Sequence, residues 1–142
     1  MNYLVLVSHG NFANGLLDTL GMFTNGERTD LLAITMQKNE DTSSIKNQFT
    51  KFLSSATNED HFIVCADIVG GSPLTAVLEV ASSQGILDKC LFLGGMNLAM
   101  VLTAALLKDT LPFEVLKNEL INESTQSISS VDLQVKENEE EI

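Results

Sequence analysis

The sequence predicts an open α/β layer fold with a mainly parallel sheet, and three observations indicate it. Short apolar runs alternate with longer stretches of helical periodicity, in the order βαβαβαβα. The runs at 3–7 and 62–68 are continuously apolar instead of alternating, as expected of strands that helices cover on both faces. The connections are long enough for right-handed helical crossovers. Such an order is typical of one three-layer domain.

The first half of the chain is predicted to supply three strands and two helices. The apolar run 3–7 is the first strand, and the second covers 30–36. A helix over 12–23 lies between them, because its apolar residues recur every three to four positions. The same periodicity predicts a helix over 43–55, which leads into the interior strand 62–68.

A third helix is predicted over 73–84 from signals at both of its ends. Ser72 is a suitable N-cap, and Pro73 would occupy the first helical position. Gly85 is placed to end the helix, as glycine commonly does just after the last helical turn.

The remainder of the chain is predicted to hold a fourth strand over 89–93 and two more helices. The helix 97–108 has Asn97 as its N-cap, and the last helix runs from about 112 to 124. A fifth strand at 131–135 has weak support, since polar residues flank it.

Composition narrows the classes of function. The 142 residues carry a net charge of −11, from 8 basic and 19 acidic side chains. Such a field repels nucleic acid and anionic lipid and favours a basic protein partner. No apolar run approaches the length of a membrane span, and no basic region precedes the first apolar run, so we expect a cytoplasmic protein. Part of the acidic excess lies in 135–142, which we expect to be a frayed, solvated end.

Several site classes have little support in the sequence. Cys65 and Cys90 lie in apolar stretches without metal-ligand spacing, and we expect both to be buried free thiols. His61 follows a polar run and is expected to be an exposed residue at the start of a strand. The nucleotide-binding patterns GxxxxGK[ST] and GxGxxG do not occur, and a metal site would need more ligands than one histidine and one aspartate.

Residues with useful chemistry follow the predicted strands, where parallel sheets bind their ligands. His9 follows the first strand, and Asp67 ends the third. A carboxylate that accepts a hydrogen bond from Nδ1–H leaves the other imidazole nitrogen unprotonated and nucleophilic. The Gly70-Gly71-Ser72 turn leads into a helix whose first N–H groups suit an anion. Together these residues predict a phosphohistidine site.

Two other interpretations of the same residues stay open at this point. Each residue taken singly fits an ordinary turn or helix cap, Ser72 above all. A Ser/His/Asp hydrolase with Ser72 as its nucleophile is the catalytic rival. Gly71-Ser72-Pro73 does not form the GxSxG nucleophile elbow, which disfavours that rival.

Three segments together resemble the enzyme IIA domain of the mannose-type (mannose/fructose/sorbose) sugar phosphotransferase system. They are Val-Ser-His-Gly-x-Phe-Ala-x-Gly-Leu at 7–16, Asp-x-x-Gly-Gly-Ser-Pro-x-x-Ala at 67–76 and Gly-Gly-Met-Asn-Leu-Ala-Met at 94–100. The resemblance covers residues 1–130 and leaves 131–142 as an exchanged strand and acidic tail. It implies a doubly wound sheet of strand order 2-1-3-4. It also implies a homodimer that exchanges an antiparallel C-terminal strand.

The resemblance also implies a function and its residues. His9 would take a phosphoryl group from the histidine-containing phosphocarrier protein and pass it to a IIB component for sugar uptake. Asp67 would orient the imidazole, and Ser72 would lie near the phosphoryl group, which Gly10, Gly70 and Gly71 would help to bind. No metal or other cofactor is expected, and phosphoenolpyruvate would be the ultimate donor through enzyme I.

Partner docking and two alternative functions complete the predictions. We expect an apolar rim of Phe12, Met22 and Met96 around the site, with burial in the core as the alternative, above all for Phe12. Association with membrane components would be peripheral, without insertion. The alternative functions are a IIA-like phosphotransfer subunit of a dihydroxyacetone kinase and a non-catalytic regulatory binding module.

Overall fold

A computed structural model of the protein describes residues 1–134 as one sheet between two layers of helices. The strands are β1 (Asn2–His9), β2 (Leu31–Met36), β3 (His61–Ala66) and β4 (Cys90–Leu93). The helices are α1 (Phe12–Leu20), α2 (Thr42–Leu53), α3 (Ser72–Ser83), α4 (Leu98–Leu107) and α5 (Phe113–Gln126), with a short 3-10 helix at Leu87–Lys89.

The four strands are parallel and lie in the order β2-β1-β3-β4, which confirms the predicted fold class and strand order. β1 and β3 are the two interior strands, and Val7 pairs with Ala66 near their carboxyl ends. Residues that follow these two strands therefore emerge side by side at one edge of the sheet.

Alternate residues of β1 point into two separate cores. Leu4 and Leu6 pack with α1, α4 and α5, whereas Val5 and Val7 pack with α2 and α3. All four side chains are fully buried, and burial of each contributes about 1.5–3 kcal/mol relative to exposure. The strand that carries His9 is consequently held on both faces.

A buried ionic cluster lies at the opposite edge of the sheet, where β2 begins. The Lys108 side chain is 1% exposed, and its Nζ lies 2.6 Å from Asp30 Oδ2. Arg28 donates two hydrogen bonds to the same carboxylate, at 2.9 and 2.8 Å. The Arg28 hydrogen bonds, joined by those from Lys108 and against the effect of burial, hold the pKa of Asp30 far below its usual range. The cluster thus has a structural role, since it joins the residue before β2 to the residue after α4.

The start of α3 differs from the prediction. The N-cap is Gly71, in an extended conformation (φ −75°, ψ 156°), and the helix begins at Ser72. The Gly71 carbonyl accepts the first hydrogen bond of the helix, from Thr75 N–H at 3.1 Å. The capping role predicted for Ser72 is therefore wrong. The cap predicted for α4 is confirmed, because Asn97 Oδ1 accepts a hydrogen bond from Met100 N–H at 2.9 Å.

The C-terminal segment forms no fifth strand over 131–134, because it pairs with no strand in the described part of the chain. Instead, Gln134 N–H donates to Asp132 Oδ1 at 2.9 Å in a turn. Val135 and the predicted acidic tail 135–142 lie outside the described residues. A strand exchanged between two chains would pair only in the dimer, so the exchange stays a prediction. Within residues 1–134, no helix is long and apolar enough to cross a membrane.

Candidate functional site

His9 and Asp67 meet at the carboxyl edge of the sheet. His9 is the last residue of β1, and Asp67 follows β3 directly. Because Asp67 N–H donates to Val7 O at 3.1 Å, the strand pairing continues up to the site. Asp67 Oδ2 lies 2.7 Å from His9 Nδ1 and accepts the backbone N–H of His9 at 2.9 Å. The structure therefore joins the two residues that the sequence placed at neighbouring strand ends.

The Asp67 carboxylate determines which imidazole nitrogen is free. Burial alone would raise the pKa of Asp67, but hydrogen bonds from His9 and from Ile68 N–H outweigh it, so the pKa is lowered. An ionised carboxylate can only accept hydrogen bonds, so Nδ1 of His9 carries the proton that bridges the 2.7 Å contact. In the neutral imidazole, Nε2 then keeps its lone pair. The side chain of His9 is 44% exposed, so a partner can reach it.

The glycine turn before α3 closes over the imidazole. Gly70 has φ +81°, a left-handed conformation that favours glycine. Gly71 has an ordinary backbone conformation, and glycine is required there because a side chain would not fit. A Cβ built on Gly71 would lie 3.2 Å from His9 Cε1 and 2.8 Å from Ile68 Cγ1. The backbone that starts α3 is therefore packed directly against the reactive ring.

The first turn of α3 offers hydrogen-bond donors next to this ring. Its N-cap, Gly71, has no side chain that could satisfy the first N–H groups of the helix. Ser72 is the first helical residue and is exposed to solvent. Free N–H groups and the positive end of the helix dipole favour a phosphoryl group at this position.

Gly10 serves the turn after β1, and its backbone N–H is not available to a phosphoryl group. Its backbone N–H donates to Met36 O at 2.8 Å, so this donor is already used within the fold. Its φ of +55° allows the chain to leave β1 for α1. Ser8 completes the turn, since its buried hydroxyl accepts Ala13 N–H at 2.8 Å. The phosphoryl-binding role predicted for Gly10 is thus unsupported.

Two of the three predicted docking residues lie in the wrong place. Met96 is 4% exposed and belongs to the core beside α1 and α4, because its backbone N–H is bound to Ala66 O at 2.9 Å. Met22 is exposed but follows the far end of α1, so at least about 13 Å of helix separates it from Phe12.

An apolar rim nevertheless lies beside the site residues in the chain, and it consists of Phe12, three residues after His9, and of Ile68 and Val69, directly after Asp67. Their exposed fractions are 48%, 53% and 79%. The burial predicted as the alternative for Phe12 is wrong. Ile68 and Val69 are exposed because β3 ends at Ala66, two residues earlier than the predicted strand. Exposed apolar side chains beside a reactive group are typical of a docking surface.

An open cavity of about 430 Å³ lies on the β2 side of His9. It is lined by His9, Gly10, Asn11, Met36, Gln37, Lys38 and Glu40. The Gln37 amide donates to Asn11 Oδ1 at 2.9 Å and so ties together the loops after β1 and β2. The sequence signal for this cavity is the polar run that follows the second strand.

The remaining candidates are placed away from this chemistry. Among residues 1–134, no group of three or more His, Cys, Asp or Glu side chains could hold a metal ion. Burial raises the pKa of the Cys65 thiol to about 12, whereas Cys90 is only half-buried, contrary to expectation. His61 is exposed at the start of β3, as predicted, and packs edge-on against Phe113.

Known structures share this fold. One is the mannose/sorbose specific IIA subunit of the phosphotransferase system from Enterococcus faecalis, with a TM-score of 0.78 and 24% identity over 93% of this chain and 96% of that chain. Another is the phosphotransferase system component EIIA from Streptococcus agalactiae, with a TM-score of 0.77 and 22% identity over 92% of this chain and 97% of that one. The sequence model of the EIIA-man family, described as "PTS system fructose IIA component", matches residues 3–121. Because that match covers most of the chain, the protein belongs to the EIIA-man family of phosphotransferase system IIA components.

Proposed function

We propose that this IIA component relays phosphoryl groups in the cytoplasm through a phosphohistidine at His9. The donor is the histidine-containing phosphocarrier protein, and the acceptor is a IIB component. One observation carries the proposal: Asp67 Oδ2 lies 2.7 Å from Nδ1 of a half-exposed histidine, which leaves Nε2 as the nucleophile. Membership of the EIIA-man family supports the phosphotransfer chemistry.

The transfer needs no proton to be removed from His9. Its Nε2 lone pair forms a bond to phosphorus while the bond between phosphorus and the donor imidazole nitrogen breaks, and the donor keeps that electron pair. As the His9 ring gains positive character, the Asp67 carboxylate stabilises the proton on Nδ1. The acceptor then attacks the same phosphorus, and the electron pair returns to Nε2.

The start of α3 would receive the transferred group. Nε2 is bonded to Cε1, and that carbon faces the Gly71 backbone. A phosphoryl group on Nε2 would therefore lie near the first N–H groups of α3, with Gly70 shaping the turn and the Ser72 hydroxyl close by. These donors would act by positioning and by charge stabilisation, which phosphoryl transfer mainly requires.

Both partners would dock on the apolar rim in turn. Phe12, Ile68 and Val69 supply contact area that a small shallow site otherwise lacks. The net charge of −11 would attract a basic partner surface and make the association rate fall with salt.

We also propose a homodimer. Leu106 on α4 and Val115 and Ile121 on α5 are exposed apolar side chains, and Val131 and Leu133 beyond α5 are more exposed still. A second copy could cover them. Sedimentation of the wild-type chain as a monomer at micromolar concentration would argue against it.

The decisive experiment is phosphorylation from radiolabelled phosphoenolpyruvate with enzyme I and the phosphocarrier protein. Wild type and the His61→Ala variant should take an acid-labile, base-stable label, whereas His9→Ala should take none. His61→Ala is the matched control because it removes the other histidine, which is also exposed. A label that persists in His9→Ala would contradict the assignment.

A second arm of the same experiment separates the alternatives. Labelled protein is mixed with a IIB component, and loss of label at His9 with gain on IIB is expected. Label that stays on His9 would favour the regulatory binding module, and transfer only to dihydroxyacetone kinase subunits would favour that system. Covalent reaction of Ser72 with a serine probe would revive the hydrolase.

A further inference from the structure

The turn after β4 supports the loop that carries Asp67. Gly95 N–H donates to Asp67 O at 3.1 Å, and Met96 N–H donates to Ala66 O at 2.9 Å. Backbone hydrogen bonds therefore join the end of β3 to Gly95 and Met96 in the turn after β4. The position of Asp67 thus depends on a turn outside the site itself.

Gly94 allows the two turns to approach this closely. A Cβ built on Gly94 would lie 2.3 Å from Val69 Cγ2, 2.9 Å from Val69 N and 3.1 Å from Val69 Cα. Two of these atoms belong to the backbone, so rotation of the Val69 side chain alone would not make room. Gly94 has no positive φ, so its backbone conformation does not require glycine. Glycine is required there because a side chain would not fit.

Val69 links this contact to the reactive histidine. It lies in the same five-residue loop, 67–71, as the two residues that hold the ring. Asp67 contacts His9 Nδ1 at one end of the loop, and Gly71 packs against His9 Cε1 at the other. A displacement of the Val69 backbone would therefore disturb both contacts to the imidazole.

We propose that Gly94 is a positioning residue for His9. Its missing side chain lets the loop 67–71 settle against the turn after β4, which places Asp67 and Gly71 on the ring. The expected effect on phosphoryl transfer rests on the proposed function, but the expected effect on the imidazole does not.

The test compares Gly94→Ala with Gly15→Ala in the full chain. Gly15 is a suitable control because a Cβ there would meet nothing within 4 Å and its φ is not positive. In Gly94→Ala, nitrogen NMR of His9 should move from the Nδ1–H tautomer toward a mixture of tautomers, and phosphorylation should slow by about 10- to 100-fold. Gly15→Ala should match wild type in both measurements. Wild-type tautomer and rate in Gly94→Ala would overturn the proposal.

A double variant tests the stated contact and guards against misfolding. Val69→Ala removes Cγ2, the atom nearest to the added Cβ, but leaves the two backbone contacts. Gly94→Ala/Val69→Ala should therefore recover part of the wild-type imidazole spectrum, and it carries the test if the single variant does not fold. No recovery would refute steric coupling through the Val69 side chain. A changed spectrum with no label on any variant, wild type included, would support the positioning role and reject the phosphorelay.

Discussion

Replacement of Asp67 by alanine tests the central pair of the site. The carboxylate accepts hydrogen bonds from His9 N–H, from His9 Nδ1–H and from Ile68 N–H, at 2.9, 2.7 and 2.9 Å. A hydrogen bond to a charged group contributes roughly 1.5–3 kcal/mol. Here the site is open to water, which replaces part of each bond, so we expect the free energy of unfolding to fall by about 2–3 kcal/mol in total.

The pH dependence of this loss has a definite sign. The folded-state pKa of Asp67 is lowered, so the ionised carboxylate stabilises the fold. That contribution is complete above the unfolded-state pKa of about 4 and disappears as the pH falls through the lower folded-state value. The difference between wild type and Asp67→Ala should therefore shrink as the pH falls below about 4. Urea denaturation at a series of pH values measures it.

The kinetic effect follows from the lost orientation of the ring. Without Asp67, Nδ1 has no fixed acceptor, and Nε2 holds the lone pair only part of the time. Phosphorylation by labelled phosphocarrier should slow by about 100-fold, with the label still on His9. Asp18→Ala is the matched control, because Asp18 is an exposed aspartate on α1. A wild-type rate in Asp67→Ala, or an equal loss in Asp18→Ala, would refute the reasoning.

Three further variants test other parts of the structure. Asp30→Asn should lower the free energy of unfolding by about 3 kcal/mol, because the ammonium of the 1% exposed Lys108 loses its nearest carboxylate; adding Lys108→Met should recover part of the loss in urea denaturation. Phe12→Ser should raise the KM for the phosphocarrier about 10-fold with kcat unchanged, since its side chain is 48% exposed; a change in kcat alone would count against docking. Gly71→Ala should slow phosphorylation at least 10-fold, because the added Cβ would lie 3.2 Å from the His9 ring. A wild-type rate would contradict this prediction, because it would mean that the turn moves to accommodate the side chain.

The fold and the central pair of the site could be predicted from the sequence because both depend on local signals. Continuous apolar runs identify interior parallel strands, and caps such as Asn97 mark where helices begin. Parallel strands bring their carboxyl ends to one edge, so His9 and Asp67 could be paired from the sequence alone.

The rest depended on contacts between segments that are distant in the sequence. An apolar residue in a loop can point either way, and backbone pairing decides which: Met96 is bound to Ala66 and buried, whereas Ile68 and Val69 emerge because the strand ends before them. Backbone pairing also decides the role of Gly10, because its N–H donates a hydrogen bond to Met36 O at the end of β2.

The sequence by itself thus determined which reactive groups follow the two interior strands: a histidine follows one strand, and a carboxylate follows its neighbour. Only the tertiary structure decided how that pair is held. The His9 ring contacts Asp67 at 2.7 Å, and the loop that begins with Asp67 packs against Gly94 through Val69. The physical reason is that periodicity and caps are local properties, whereas the space beside a glycine is set by whichever segment folds against it.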